Sequence, residues 1–180
     1  YTTFELFRLR EKDVPNELFE LRDHVVAFSW EPRAKRFDVV HGQNPNRPDV
    51  SFYDLSGEAL VELFKVEGKM CNAVFWSPRG NHCVLGGMSR ELGGTLEFWD
   101  VDNQTLLATQ EHYAVSDVEW DPSGRVITTA VCQPLDLLHA VSAFDNGYRL
   151  WTFQGIPISN VAKAKLYQFL WRPRPRSLIT

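Results

Sequence analysis

The sequence lacks the short motifs that mark the common classes of enzyme. It has no G-x-S-x-G nucleophile elbow, no G-x-x-x-x-G-K phosphate loop and no H-E-x-x-H zinc motif. Its five histidines are not spaced as metal ligands. We therefore expect no catalytic residue, no metal site, no cofactor and no small-molecule substrate, and the protein is not predicted to be an enzyme.

Long apolar runs and a secretory leader are missing as well. No apolar segment approaches the roughly 18 residues that would span a membrane, and no charged-then-apolar leader is present. The three cysteines, Cys71, Cys83 and Cys132, are odd in number and form no C-x-x-C pair. They are typical of buried thiols in a reducing compartment, and they predict a cytoplasmic protein without a membrane partner.

Helical periodicity is scarce, and the best helical candidate is a short segment around residues 160–169. Instead, apolar and polar residues alternate at residues 59–66 and 95–101, which is typical of β-strands. The turn sequences Ser-Pro-Arg-Gly at 77–80 and Asp-Pro-Ser-Gly at 121–124 separate such segments. The chain is therefore predicted to consist of short strands joined by hairpins.

Two sequence landmarks recur in phase along the chain. The first is a Trp-x-Pro unit that repeats at intervals of 46, 44 and 51 residues. Its tryptophans are Trp30, Trp76, Trp120 and Trp171. The second is an aromatic residue near the end of a strand, 20 to 23 residues before each of these tryptophans. Those aromatic residues are Phe7, Tyr53, Trp99 and Trp151. Two landmarks that keep phase over three periods indicate a repeat architecture.

About four short strands in a period of this length are typical of a blade in a WD40-like β-propeller. The predicted fold is therefore all-β, with about three to four four-stranded blades present as a fragment of a propeller. Stacked blades bury their faces against one another, so the repeated tryptophans are expected to fill the blade core. The predicted core tryptophans are Trp30, Trp76, Trp99, Trp120, Trp151 and Trp171.

The repeat also predicts a division of the chain. Residues 1–175 are assigned to the C-terminal blades of a propeller, and residues 176–180 to the start of a C-terminal tail. Within the first range we expect a partial blade at 1–10, blades at about 11–56, 57–102 and 103–154, and a closing blade or tail from 155–175. The segment 133–147 is irregular, because 31 residues separate Trp120 from Trp151. Since an open stack would expose sheet edges, we expect a piece of a longer protein.

Charge is spread unevenly, and basic residues recur at one turn. The net charge is −4, yet residues 151–180 carry five cations and no acid. Basic residues also follow the Trp-x-Pro units. Because equivalent turns of successive blades lie on one face, these residues are expected to form a basic arc. Such an arc can hold nucleic-acid phosphates. A solvated hairpin face is the alternative, because Glu31 and Asp121 share these turns. The candidate contact residues for ribosome, RNA or protein partners are Arg33, Lys35, Arg36, Arg79, Arg125, Arg172, Arg174 and Arg176.

Two histidines precede Trp-bearing strands by six to eight residues, namely His24 and His112. WD repeats often carry a histidine there in a hydrogen-bonding role that orders the blade. The pairs Asp23-His24 and Glu111-His112 are not predicted to be catalytic dyads, because adjacent residues on a strand point to opposite faces.

Seven segments together resemble one known family. FELFRLREKDVP, AFSWEP, VSFYDL, FWSPRGN, EHYAVSDVEWDPSGR, NGYRLWTFQG and LWRPRPRSLI resemble the C-terminal propeller blades of the b subunits of eukaryotic translation initiation factor 3. The resemblance implies a non-catalytic scaffold that binds other subunits of that complex and the small ribosomal subunit, through ribosomal protein and rRNA, and promotes mRNA recruitment. It also implies an RNA-recognition domain before the propeller and a helical tail after it.

Two other functions stay open at this point. The chain could be part of a general WD-repeat adaptor that binds only protein or peptide, unrelated to translation, with little dependence on salt. It could also be the propeller domain of a hydrolase whose catalytic domain lies outside this sequence.

Overall fold

The computed structural model describes residues 1–133 and 145–173, and every regular element within them is a β-strand. A hairpin comes first, formed by β1 (Thr2–Phe7) and β2 (Asn16–Leu21). The first blade contains β3 (Val25–Trp30), β4 (Arg36–His41), β5 (Asp49–Asp54) and β6 (Val61–Val66). The second blade contains β7 (Ala73–Trp76), β8 (His82–Gly86), β9 (Thr95–Asp100) and β10 (Thr105–Glu111). The third contains β11 (Asp117–Trp120), β12 (Val126–Val131), β13 (Gly147–Thr152) and β14 (Pro157–Ala162).

Each blade is an antiparallel sheet whose strands lie in sequence order. The predicted all-β fold of four-stranded propeller blades is confirmed. The best helical candidate, the segment around residues 160–169, is not a helix, because β14 occupies its first residues and those that follow are not helical. β14 pairs with β13 from Gly147↔Ala162 to Trp151↔Pro157, so its backbone hydrogen bonds go to the sheet.

The sheets are offset by one strand from the predicted ranges 11–56, 57–102 and 103–154. Each range holds four strands, but the first of them is the outermost strand of the preceding sheet. For example, β6 falls in the second range and pairs with β5 of the first blade. A sequence repeat gives the period but does not show between which strands one sheet ends and the next begins. The predicted domain limits and tail stay predictions.

The core lies between neighbouring sheets. One cluster joins the first and second blades and includes Val40, Phe52, Trp76 and Leu85. A second joins the second and third blades, and a third joins the β1–β2 hairpin to the first blade, where Phe37 stacks on Tyr53. Burying each such side chain contributes about 1.5–3 kcal/mol, so contact between blades is the main source of stability.

The predicted core tryptophans occupy different environments. Trp76, Trp99 and Trp151 are buried, whereas Trp120 and Trp171 are half-buried. Trp76 and Trp120 also reach the preceding blade, where their Nε1 atoms donate to Asp38 Oδ2 at 2.6 Å and to the Phe75 carbonyl at 2.9 Å.

Trp30 differs from the prediction, because its side chain is 45% exposed. Its ring packs in edge-to-face arrangements with Phe28 and Phe37. Within the described residues the preceding sheet has only β1 and β2. Trp30 therefore lacks the neighbouring inner strands that Trp76 and Trp120 contact.

Candidate nucleic-acid interface

Three tight hairpins lie at the same end of the three blades, where the first strand of each blade turns into the second. Each is closed by a backbone hydrogen bond across the turn, from Ala34 to Glu31, from Gly80 to Ser77 and from Gly124 to Asp121, at 2.8–2.9 Å. Ala34, Gly80 and Gly124 all have positive φ, between 56° and 76°. The hairpins are thus structurally equivalent, as the repeat predicted.

The three hairpins touch one another along this end of the molecule. The side chain of Glu31 packs directly over Gly80, where no Cβ could be accommodated without moving it. Gly124 lies beside Pro78 and Arg79 of the second hairpin, at a distance where an added Cβ would make ordinary van der Waals contact. We call this row of adjoining hairpins, residues 31–36, 77–81 and 121–125, the basic rim.

The acids of the basic rim bind backbone and not the basic side chains beside them. Glu31 is buried and its carboxylate accepts the N–H groups of Arg33 and Lys35 at 2.8 and 3.2 Å. Asp121 likewise accepts N–H groups at 2.8–3.0 Å in its own turn. Burial works to raise the pKa of Asp121, but hydrogen bonds from Ser123 and from backbone N–H groups outweigh it, and the pKa lies below its usual value. These acids shape the turns, and their negative charges remain close to the cations of the rim.

A cleft of about 360 Å³ lies between the first and second hairpins. It brings together four of the predicted contact residues, Arg33, Lys35, Arg36 and Arg79, beside Glu31 and Asp102. Arg36 is committed to ion pairs, at 2.6 Å to Asp102 and 3.6 Å to Asp54. The side chains of Arg33, Lys35 and Arg79 are exposed and enter none of the ion pairs found in the described residues.

The other predicted contact residues are more scattered. Arg125 is exposed on the third hairpin, and Arg172 is exposed in the segment after β14. Arg174 and Arg176 lie outside the described residues. Sequence reasoning missed Asp102, which contributes an acid to the cleft from the β9–β10 turn and pairs with Arg36 across 66 residues of sequence.

Inside the first blade, three residues form a chain of hydrogen bonds that resembles a catalytic triad. His41 Nδ1 lies 2.9 Å from Asp23 Oδ2, and His41 Nε2 lies 2.9 Å from Ser51 Oγ. Ser51 is only 1% exposed, so no substrate reaches its hydroxyl. The chain ties the loop before β3 to the centre of the sheet. The predicted ordering histidine, His24, is exposed, and His41 takes that role because it lies inside the sheet, opposite Asp49.

The other two blades carry equivalent but chemically different polar networks. In the second, Lys69 and Trp99 Nε1 both donate to Glu97, at 3.1 and 2.9 Å. In the third, Thr129 Oγ1 contacts His112 Nδ1 at 2.7 Å and accepts from Trp151 Nε1 at 2.9 Å. Burial lowers the pKa of His112 to about 4, so its ring is neutral at pH 7. His112 therefore has the hydrogen-bonding role that its position predicted.

Residues 1–133 and 145–173 contain no group of three or more His, Cys, Asp or Glu side chains that could hold a metal ion. The same residues include no helix with the length and apolar character needed to cross a membrane. Cys71 and Cys83 are buried free thiols, and burial raises the pKa of Cys71 to about 12. Cys132 is also free and half-buried.

The comparisons with known proteins agree on a family. The sequence model described as "Eukaryotic translation initiation factor eIF2A" matches residues 1–169. The B subunit of eukaryotic translation initiation factor 3 from Xenopus laevis is 44% identical over 180 residues, which cover 99% of this chain and 25% of the relative. The protein of the same name from Nicotiana tabacum is 38% identical, over 100% of this chain and 25% of the relative. The one from Dictyostelium discoideum is also 38% identical, over 99% of this chain and 26% of the relative. The resemblance predicted from the sequence is confirmed.

The chain spans about a quarter of the length of these curated relatives. A solved structure titled "Crystal structure of the eukaryotic initiation factor" superposes with a TM-score of 0.72. The superposition covers 89% of this chain and 41% of the solved chain, at 22% sequence identity. At that identity the similarity supports the fold only.

Proposed function

The chain belongs to the eukaryotic translation initiation factor eIF2A family, and from that premise we propose that it is the propeller part of a scaffold subunit of initiation factor 3. In this role it binds other subunits of the complex and the small ribosomal subunit in the cytoplasm, and it promotes assembly of the initiation complex and recruitment of mRNA. The names of its relatives support membership in the complex. The proposal assigns no catalytic residue to the chain.

The observation that carries the ribosome part of the proposal is the composition of the cleft in the basic rim. Arg33, Lys35 and Arg79 converge there from two blades, and none of them has an ion-pair partner among residues 1–133 and 145–173. Exposed guanidinium and ammonium groups that share a cleft favour a polyanion, and Arg offers paired N–H donors that match two phosphate oxygens. The closed hairpins fix the backbone positions of these three residues, so within the protein the entropy lost when an RNA backbone binds is mainly that of the side chains.

The acids near the cleft set the orientation of its cations. Arg36 is held between Asp54 at the end of β5 and Asp102 in the second blade. Its charge is largely balanced, and its contribution is to join the two blades. We therefore propose that Arg33, Lys35 and Arg79 contact phosphates, that Arg125 extends the same surface, and that Arg36 is structural.

The first test is co-sedimentation of the full-length protein with purified small ribosomal subunits. A variant with Arg33→Glu, Lys35→Glu and Arg79→Glu should bind at least about tenfold more weakly, because each reversed charge removes an attraction and adds a repulsion. A control variant with Arg22→Glu, Arg47→Glu and Arg90→Glu makes the same charge change at the opposite end of the blades and should bind within about twofold of the wild type.

Thermal unfolding and circular dichroism would verify that both variants fold like the wild type. Equal binding by the wild type and the rim variant would overturn the ribosome contact at the basic rim. Equal losses in the two variants would mean that net charge, and not this surface, drives the association.

A further inference from the structure

A serine borders the cleft in the basic rim, and the proposed ribosome contact does not use it. Ser56 is exposed in the turn between β5 and β6, and it lines the cleft together with the three exposed cations. The N–H of Leu55 donates to the Lys35 carbonyl at 2.7 Å, which fastens this turn to the first hairpin of the rim. A group attached to the Ser56 hydroxyl is therefore held at the edge of the cleft.

The second blade has an acid where the first blade has Ser56. In each blade, the residue after the third strand donates its N–H to a carbonyl of the rim hairpin at 2.7–3.0 Å. These donors are Leu55, Val101 and Phe153. The residues that follow them are Ser56, Asp102 and Gln154. Asp102 lines the same cleft and pairs with Arg36 at 2.6 Å, so an anion at this place in the turn fits the fold and meets a cation.

The Ser56 side chain is bonded to Asp54 and not to the cations. Its N–H donates to Asp54 Oδ1 at 2.5 Å. Burial works to raise the pKa of Asp54, but hydrogen bonds from the Ser56 hydroxyl and N–H outweigh it, and the pKa lies below its usual value. A phosphoryl group on the hydroxyl would remove this donor and repel the Asp54 carboxylate. The modified side chain would therefore turn toward the cations of the cleft.

The positive charge of the cleft has a narrow margin. Its cations are Arg33, Lys35, Arg36 and Arg79, and its acids are Glu31 and Asp102. Asp54 adds a third acid, because it pairs with Arg36 at 3.6 Å. Four cations against three acids leave a formal charge of +1. A phosphoserine carries about −1.5 to −2 charges at pH 7, so one phosphate would make this group of side chains negative.

We propose that Ser56 is a phosphorylation site, and that its phosphate occupies the basic cleft in place of an RNA phosphate. A protein serine kinase transfers the γ-phosphoryl group of ATP to the exposed hydroxyl. The bond between Ser56 Oγ and the γ-phosphorus forms, the bond from that phosphorus to the β–γ bridging oxygen breaks, ADP leaves, and the hydroxyl proton passes to a base of the kinase. The inference rests on the proposed function, because it assigns a regulator to the same cleft: the phosphorylated protein releases the small ribosomal subunit.

The first test determines whether the phosphate meets the cations. Phosphoserine is installed at position 56 of the full-length protein by genetic-code expansion, and the second pKa of its phosphate is measured by phosphorus NMR. We expect a value below about 5.5, whereas an unperturbed phosphoserine titrates near about 6. Arg33→Gln, Lys35→Gln, Arg79→Gln in the same phosphorylated protein should return the pKa to about 6 or above. Equal pKa values in the two proteins would overturn the proposal.

Co-sedimentation with small ribosomal subunits measures the effect on binding. Phosphorylation of Ser56 should weaken binding by about tenfold or more, because the cleft becomes negative. Phosphoserine at position 116 is the matched control, since Ser116 is exposed and precedes β11 at the end of the blades opposite the rim. That protein should bind within about twofold of the unmodified one.

The two measurements separate this inference from the proposed function. If the Arg33→Glu, Lys35→Glu, Arg79→Glu variant lost binding and phosphorylation of Ser56 did not weaken it, the inference would be overturned and the ribosome contact would stand. If neither change affected binding, but the pKa of the phosphate depended on the three cations, the ribosome contact would be overturned and the phosphate site would stand.

Phosphopeptide mass spectrometry tests whether the modification occurs. The full-length protein is isolated from growing and from starved cells with phosphatases inhibited. We expect a Ser56 phosphopeptide that alkaline phosphatase removes. Its absence under both conditions would overturn the assignment of Ser56 as a modification site.

Discussion

At the scale of single residues, the fold strongly changes the chemistry of Asp38. It lies on β4 in the middle of the first blade and is fully buried. Its Oδ2 accepts from Trp76 of the second blade, and its Oδ1 has no partner. Burial raises the pKa of Asp38 to about 8, although the hydrogen bond from Trp76 works to lower it. The carboxyl is therefore mostly protonated near pH 7, as a buried acid without a cation should be.

This pKa predicts how stability varies with pH. The folded pKa lies above the unfolded value, so the contribution of Asp38 is fully present below about pH 4 and is lost as pH rises through about 8. Asp38→Asn keeps an acceptor for Trp76 and does not titrate. The free energy of unfolding of the wild type should therefore fall relative to Asp38→Asn between pH 5 and 8, by at most about 1.4 kcal/mol per pH unit.

Urea denaturation at three pH values in this window measures the difference between the two proteins. Asp54→Asn is the control, because the pKa of Asp54 is lowered: burial opposes this shift, but hydrogen bonds from Ser56 and the charge of Arg36 outweigh it. In Asp54→Asn, the change in the free energy of unfolding between pH 5 and 8 should therefore match that of the wild type. If the free energy of unfolding varied with pH in the same way in the wild type and in Asp38→Asn, the claim that the Asp38 carboxyl is buried and protonated would be contradicted.

Sequence reasoning reached some of these residues and not others. It predicted a hydrogen-bonding role for His112, because a position relative to the repeat is visible in the sequence. It did not identify His41, whose partners Asp23 and Ser51 lie 18 and 10 residues away. Asp38 was also missed, because its carboxyl meets Trp76 of another blade only after the sheets stack.

At the scale of elements, the hairpins explain where glycine is needed. Ala34, Gly80 and Gly124 occupy the same left-handed position. Gly80 lies under Glu31 and has no room for a Cβ, whereas a Cβ at Gly124 would make ordinary van der Waals contact with Pro78 and Arg79. Ala34 is exposed at the start of the row, with no equivalent hairpin before it in the described residues. Contact between hairpins, in addition to backbone conformation, therefore accounts for glycine at Gly80, whereas the positive φ alone favours glycine at Gly124.

This account predicts that Gly80→Ala costs more than an ordinary glycine substitution at positive φ. The new Cβ would displace the Glu31 side chain, which binds the N–H groups of Arg33 and Lys35. Gly93→Ala is the matched control, since Gly93 has a φ of 71° but no atom within 4 Å of the place where a Cβ would lie. We expect Gly93→Ala to cost about 1 kcal/mol and Gly80→Ala about 2–3 kcal/mol in chemical denaturation.

Equal costs for the two substitutions would contradict the close packing of the first hairpin on the second. A cost in Gly93→Ala alone would contradict it more strongly. Because both glycines occupy turns, neither substitution should change the strand content seen by circular dichroism.

The elements themselves were largely predictable, because alternation and Pro-x-Gly turns are local signals. The Trp-x-Pro units correctly located the hairpins after β3, β7 and β11. The best helical candidate, around residues 160–169, is not helical, because pairing with β13 decides the conformation of β14 over any local helical preference. The observed sheets are offset by one strand from the predicted ranges, because a sequence repeat does not show where one sheet ends and the next begins.

At the scale of the whole molecule, the blades present two chemically different ends. The rim end carries Arg33, Lys35 and Arg79 in one cleft, and the opposite end carries a cavity around Asn146 and Arg149. The repeat predicted which side chains share the rim end. It could not predict that Arg36 would be paired with Asp54 and Asp102, because that contact depends on the offset between two sheets.

The central claim is that the basic rim binds phosphates, and the most direct measurement is the salt dependence of binding. The affinity of the full-length protein for small ribosomal subunits is measured across a salt series, beside a variant in which Arg33, Lys35 and Arg79 are replaced by Gln. Each lost phosphate contact lowers the slope of log affinity against log salt by about 0.7–0.9, so we predict a slope shallower by about two. If the variant showed the same slope as the wild type, the claim would be contradicted, because Arg33, Lys35 and Arg79 of the wild type would then release no counterions on binding.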